Sequence, residues 1–479
     1  MNKVRRPRMA AIVSAAIAGM CSIAAADQPA TQPPVDTAKE IQALRERIDQ
    51  LEKQQKEQEL KQEQTATLDS VLNDASKHSQ FLDSTGISAG WNPSKQQFFI
   101  GSDDGKFYLH PGIIFQVRGV GNYRENPPGS KHDSITQWGF EIRRAKWYFD
   151  GNIFTPDLIY KFQWQDNANG APTLEYGWGQ YTYAKGIFKT GELAIRAGQF
   201  KDIVFKEEFI GDQNQLMVER SMANSLLGGN QAPGNLTQGV DFLLTGKDAP
   251  LHAEILLHDG FGSGNTNFTQ PHGTAVTFPQ TPTNPATNPG YWGAAARVDW
   301  KVFGDWTDTT DFTGVNSGKK NLLDIGGGID FTDAQGLSAI RATADAQFLI
   351  AKKLSIFGAL YAANFQYRNV KAGSPTTANN YGAQIEGGYM ISPALQLVGR
   401  YSLSKLDNSF KINNVGTFQE IAAGFNWFGP NGAWGNHAKF SLDLNYLPDG
   451  SPALTGLDDL ATTGGHEELV LRTQIQIWF

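Results

Sequence analysis

Residues 469–479, LVLRTQIQIWF, alternate without a break. Leu469, Leu471, Thr473, Ile475, Ile477 and Phe479 share one side, and Arg472, Gln474 and Gln476 the other. Strand side chains point alternately to opposite faces, so the segment reads as a strand with one apolar and one polar face. Its length matches the roughly 9–11 residues with which a tilted strand crosses a bilayer. A soluble sandwich can carry the same strand, and the remaining chain has to decide.

From Lys106 onward the chain repeats that design. Segments bounded by Gly, Pro, Asn or Asp fall at 106–120, 137–150, 157–166, 174–185, 191–201, 237–246, 250–259, 290–302, 321–331, 338–350, 354–367, 380–391, 394–406, 416–428, 436–447 and 467–479. They predict an all-β chain of sixteen strands. Long links at 121–136, 202–236, 260–289, 368–379, 407–415 and 448–466 alternate with short ones at 151–156, 186–190, 247–249, 351–353 and 392–393. Outer-membrane barrels sort their connections this way, with long loops on one rim and tight turns on the other. Two links depart from the rule: 303–320 is too long for a turn, and 332–337 is short for an outer loop.

The faces agree with a membrane barrel. Leu158, Tyr160, Phe162 and Trp164 oppose Lys161, Gln163 and Gln165; Phe440, Leu442, Leu444 and Tyr446 oppose Ser441, Asp443 and Asn445. A barrel of this size encloses a lumen rather than a core, so the apolar face belongs to lipid and the polar face to water. Trp147, Trp300, Trp427 and Trp478 fall near predicted strand ends, where amphipathic rings favour the interface. The expected fold is a transmembrane antiparallel β-barrel over 106–479.

Residues 1–26 read as a secretory signal. Lys3, Arg5, Arg6 and Arg8 precede the small, apolar stretch 9–23, and Ala24, Ala25 and Ala26 offer a cleavage site before Asp27. The only cysteine, Cys21, lies inside it, so the exported chain uses no disulfides. Residues 27–38 are a Pro- and Thr-rich linker. In 39–80, Ile41, Leu44, Ile48 and Leu51 are spaced as a coiled-coil seam, and so short a seam needs partner helices. Residues 81–105 connect it to the barrel.

Removal of the signal takes away four cations and leaves 37 basic against 48 acidic residues. An acidic exported chain is no nucleic-acid binder. No catalytic, cofactor or metal arrangement is legible either. The eight histidines show no paired ligand spacing, and the glycine runs 260–264 and 326–328 are not followed by helical patterns.

The candidate site is therefore the lumen. Link 202–236 sets Lys206, Glu207, Glu208, Asp212, Glu219 and Arg220 among Phe205, Phe209, Leu216 and Met217. Folded inward, such a loop packs its apolar side on the wall and presents charges at a constriction, where they set ion selectivity. An outer surface loop is the other reading. Arg118, Lys161, Arg196, Arg400 and Arg472 fall on polar strand faces, either lining the pore or pairing with acids across it. Arg143, Arg144 and Lys146 are too dense for a regular strand to turn inward together, which predicts a rim position or a bulge.

Several stretches together resemble the phosphate-selective porins O and P of Gram-negative outer membranes and related porins with an N-terminal coiled coil. They are Gly139-Phe140-Glu141-Ile142-Arg143-Arg144-Ala145, Tyr160-Lys161-Phe162, Arg196-Ala197-Gly198-Gln199-Phe200-Lys201, Glu219-Arg220-Ser221, Gly424-Phe425-Asn426-Trp427 and 472–479. The resemblance implies a homotrimer in outer-membrane lipid, a periplasmic coiled coil, and passive uptake of small hydrophilic solutes or anions such as phosphate. It implies that 202–236 enters the channel and that Phe479 is the aromatic read by the barrel assembly machinery. The acidic balance departs from the strongly basic pores of the phosphate-selective members. A structural anchor, tethering the envelope through the coiled coil, is the alternative function.

Overall fold

The computed structural model describes residues 86–92, 97–124, 135–166, 171–228, 236–265, 290–318, 320–334, 337–368, 375–412, 414–452, 460 and 466–479. The signal segment, the linker and the coiled coil lie outside the described residues.

Two short strands come first, β1 (Ile87–Asn92) and β2 (Gln97–Ser102), paired as an antiparallel hairpin where the sequence shows only a connector. The barrel strands follow: β3 (Tyr108–Arg124), β4 (Ile135–Ile153), β5 (Thr155–Asp166), β6 (Pro172–Ile187), β7 (Gly191–Lys201), β8 (Leu236–Thr245), β9 (Leu251–His258), β10 (Gly290–Phe303), β11 (Leu322–Ala334), β12 (Leu337–Ile350), β13 (Leu354–Tyr367), β14 (Thr377–Ser392), β15 (Leu395–Lys405), β16 (Thr417–Trp427), β17 (Ala438–Leu447) and β18 (Glu468–Trp478). Each pairs antiparallel with the next. Strand β18 returns to β3, setting Gln474 opposite Arg118 and Gln476 opposite Gln116. The result is a closed sixteen-stranded barrel, with every predicted strand present and two of them, β7 and β13, matching to the residue. Closure removes the open sheet edge that lipid cannot hydrate.

The wall is apolar outside. On β18, Leu471 and Ile475 are 42 % and 59 % exposed, whereas Arg472 and Gln476 are at most 1 % exposed. Leu360, Ile385, Ile255 and Trp138 repeat the outward pattern on other strands. So continuous an apolar belt is stable against lipid and not against water, and the barrel is transmembrane. Trp300, Trp427 and Trp478 lie near strand ends, but Trp147 sits further inside β4, stacked on Trp164 at 4.4 Å.

Short links occupy one rim. Phe154 alone joins β4 to β5, in the left-handed region at φ 65°. On the same rim 304–321 and 428–437 are long, and both fold into the barrel end. The first carries a 3-10 turn at Trp306–Thr310 and stacks Phe312 on Phe357 at 4.4 Å. From the second, the Asn436 side-chain amide donates to the Gln213 carbonyl and to Asn214 Oδ1, both at 2.9 Å. The link that broke the length rule is an elaborated turn with a place inside the barrel.

The inward face is not uniformly polar. Strand β13 turns Phe357, Ala359, Tyr361, Ala363 and Phe365 to the interior, all buried. Simple alternation gives no reason for apolar side chains in a watery lumen. The loop packed against them does.

Candidate functional site

After Lys201 the chain leaves the wall and enters the lumen. It makes a helical turn at Lys206–Phe209, a 3-10 turn at Asp212–Asn214 and a helix at Met222–Leu227. Ser221 caps the helix, its hydroxyl accepting from the Asn224 amide at 3.1 Å. Phe205, Ile210, Leu216 and Met217 form one buried cluster with Phe357, Tyr361, Val398 and Ala422 of the inner wall. Wall glycines make room for it. A Cβ at Gly328 would lie 2.9 Å from the Val204 carbonyl, and one at Gly388 would lie 2.7 Å from a Leu216 methyl.

The loop bridges the lumen. It departs from β7, yet Asn426 on β16 donates to the Leu216 carbonyl at 2.9 Å and Arg400 on β15 donates to the Glu219 carbonyl at 2.9 Å. Strand β15 lies eight places from β7 in the ring of sixteen, on the opposite wall. Further wall side chains hold the loop backbone: Lys439 donates to the Gln215 carbonyl, Asp443 accepts from the Val218 amide and Glu420 from the Met222 amide, each at 2.8 Å.

Its charges close onto the wall instead of facing open water. Glu219, 1 % exposed, accepts from Arg118 Nη1 at 2.6 Å, Arg143 Nε at 2.5 Å and Arg144 Nη2 at 3.1 Å. Asp212 takes Lys146 at 2.5 Å, Arg144 at 3.2 Å and Arg220 at 2.6 Å. Lys206 pairs with Asp324, and Arg341 on β12 pairs with Asp202. Burial opposes ionisation of Glu219, but Arg143, Arg144 and Arg118 outweigh it and hold its carboxyl well below the usual carboxylate range. For Asp212, burial is likewise overcome by Arg144, Lys146, Arg220 and Lys201.

Arg220 acts within the loop. It donates to the carbonyls of Glu207, Glu208 and Ile210 at 2.9, 3.2 and 3.0 Å, all at the first helical turn of the loop. Glu207 accepts from the amide and hydroxyl of Ser221 at 2.7 and 2.8 Å, and Glu208 accepts from Asn224 Nδ2 at 2.5 Å. Burial pushes the Glu207 carboxyl up, with Arg400 and the Ser221 bonds opposing it.

The wall cations divide into groups. Arg118, Arg143, Arg144 and Lys146 converge on the loop acids. A bulge makes this possible for the adjacent arginines: Gln116 faces Arg144 and Val117 faces Ile142, leaving Arg143 as the extra residue on β4. Arg196 pairs with Asp241 at 2.5 Å and Glu254 at 3.1 Å. Arg400 pairs with Glu420 at 2.7 Å, and Arg472 stands 3.9 Å from Asp443. Lys161 lies 5.0 and 4.9 Å from the Tyr148 and Tyr176 ring centres. Phe479 closes the seam: its carbonyl accepts from the Ile113 amide at 3.0 Å and from the Tyr148 hydroxyl at 2.9 Å.

Sequence reasoning passed over Lys201, which is buried beside Phe200 and Gln199. Alternation assigns one face in two, and at this strand end both faces are covered because the chain is turning inward. It also passed over Asp202, Glu175 and Asp324, acids visible in the sequence whose partners are set by cross-lumen packing.

Fold and polarity define a transmembrane β-barrel of sixteen strands whose lumen is crossed by the loop that follows Lys201. No family model matches the chain, and no curated protein matches its sequence. Among solved structures, the chain is similar to the outer membrane channel DcaP of Acinetobacter baumannii, at 12 % identity and TM-score 0.47, covering 79 % of this chain and 99 % of that one. It is similar to the anion-selective porin from Comamonas acidovorans, at 11 % identity and TM-score 0.48, over 78 % of this chain and 100 % of that one. OmpF of Salmonella typhi, in complex with daunomycin, aligns at 12 % identity and TM-score 0.46, over 78 % and 99 %.

Proposed function

We propose that the chain is a porin of the Gram-negative outer membrane, passing ions and small hydrophilic solutes by diffusion. The observation that carries the reading is the loop 202–228 threaded through a polar-walled, lipid-facing barrel. A barrel that only anchored the envelope would need no buried ion pairs to hold a loop across its lumen. A barrel that selects solutes needs the cross-section to be narrow and fixed, because fields and sterics discriminate only at close quarters. The same reading has three copies associating in the membrane, insertion directed by Phe479, and a mild preference for anions from the cations of β3 to β7.

Planar-bilayer recording of the purified full chain across a salt gradient tests it. Discrete conductance steps, in a threefold pattern, with a reversal potential of the anion-preferring sign are expected. Absence of steps refutes the channel; a cation-preferring sign refutes the anion preference.

A further inference from the structure

A space lies between the bridging loop and the wall. It is a cavity of about 220 Å³ formed by β5, β6, β7 and β9, with Ile203 and Phe209 of the loop as its cover. Lys161, Arg196 and Lys201 enter it, against a single lining carboxylate, Glu254. Arg196 is already paired with Asp241 and Glu254 through Nη2. Neither lysine forms an ion pair or hydrogen bond with a described residue, although Lys201 is only 8 % exposed. Asp212 and Glu175 act on Lys201, and Asp150 and Glu175 on Lys161, only through space. An ammonium group withdrawn from water with no anion in contact is costly, and an incoming anion that touched it would offset that cost. The ring faces of Tyr148 and Tyr176 beside Lys161 lessen the penalty but carry no negative charge.

Size and lining narrow the class of anion. Drug-sized ligands occupy roughly 300–1,000 Å³, so this space suits a single ring or smaller. Much of the lining is aromatic, from Tyr176, Trp178 and Phe209. A strongly hydrated inorganic anion gains little from such walls, whereas an aromatic ring stacks on them while its charge meets the lysines.

We propose that this cavity is a subsite for a small aromatic carboxylate, with Lys161 and Lys201 holding the carboxylate and Tyr176, Trp178 and Phe209 enclosing the ring. It deepens the porin reading and rests on it for the ligand's route through the lumen.

Isothermal titration calorimetry of the detergent-purified full chain tests the subsite, with benzoate as probe and cyclohexanecarboxylate and inorganic phosphate as comparators. Benzoate should bind, and K161M and K201M should each weaken it about tenfold, the effect of losing one charge-assisted contact. Cyclohexanecarboxylate should bind several-fold more weakly, and F209L, which keeps every charge, should narrow that difference. Heat-modifiable gel mobility identifies variants with an intact barrel, and F209L supplies the test if a lysine variant fails to fold. No binding of benzoate, or binding undiminished in folded K161M/K201M, overturns the subsite. Phosphate binding as tightly as benzoate overturns the aromatic class. A protein that conducts without binding benzoate refutes the subsite alone; one that binds benzoate without conducting refutes the channel alone.

Discussion

Replacing Glu219 with Gln keeps the side chain's shape and removes the charge on which three arginines converge. Arg118, Arg143 and Arg144 donate to that carboxylate at 2.6, 2.5 and 3.1 Å. Breaking a buried ion pair by neutralising one partner costs about 3–5 kcal/mol, much of it from cations left unpaired. At about 1.4 kcal/mol per decade, the population with the loop detached from β3 and β4 rises by roughly two to three and a half powers of ten. The strand ladders are untouched, so the barrel should still show normal heat-modifiable mobility. The released guanidinium groups then face the lumen, and bilayer recordings should show a larger anion preference and added current noise. Unchanged reversal potential and noise in E219Q would refute the clamp. The pH dependence follows from the sign of the shift. The folded-state value is depressed, so the stabilisation is complete above the unfolded carboxyl value, about 4.3, and is lost only as pH falls through the lower folded value. Wild-type channels at about pH 4.5 should therefore behave as at neutrality. A wild-type transition to the E219Q phenotype at that pH would contradict the geometry.

Three other changes test separate parts of the structure. G328V puts a branched side chain where even a Cβ meets the Val204 carbonyl at 2.9 Å, so the loop should be displaced and single-channel conductance should rise. F312A removes a fully buried ring stacked on Phe357, at a cost of about 3–5 kcal/mol; protease cleavage within 304–321 should become faster. Deleting Phe479 removes the acceptor of the Ile113 and Tyr148 bonds, and the heat-modifiable fraction in outer membranes should fall.

The wall was legible because its physics is local. Period-two alternation and turn residues located all sixteen strands, and the crowding at Arg143 and Arg144 called for a rim position or a bulge, of which the bulge is found. The interior was less legible because its physics is not local. Alternation states which face Arg400 occupies but not that it meets Glu420 and the Glu219 carbonyl. The sequence pattern also suggests a loop offering charges to a pore, whereas Glu219, Asp212 and Lys206 are closed against wall partners far away in the chain and Glu207, Glu208 and Arg220 against the loop itself. The inward aromatics of β13 contradict a lumen-polar rule and make sense only once the loop covers them. The β1–β2 hairpin escaped notice because two strands of six residues hardly establish a period.

That hairpin lies beside the barrel seam. Strand β18 covers β3 only from Ile114 upward, so Tyr108 to Ile113 extend past their closing partner. On that overhang β2 pairs with Tyr108 and Leu109, the Phe479 backbone bonds with Ile113 in both directions, and Phe98 meets the Phe479 ring edge-on at 5.8 Å. A shortened chain beginning at Lys106 would therefore present a partly bare strand edge at the rim of an otherwise edgeless barrel. Bare edges recruit other chains. Refolding such a truncation in detergent should yield barrels joined rim to rim.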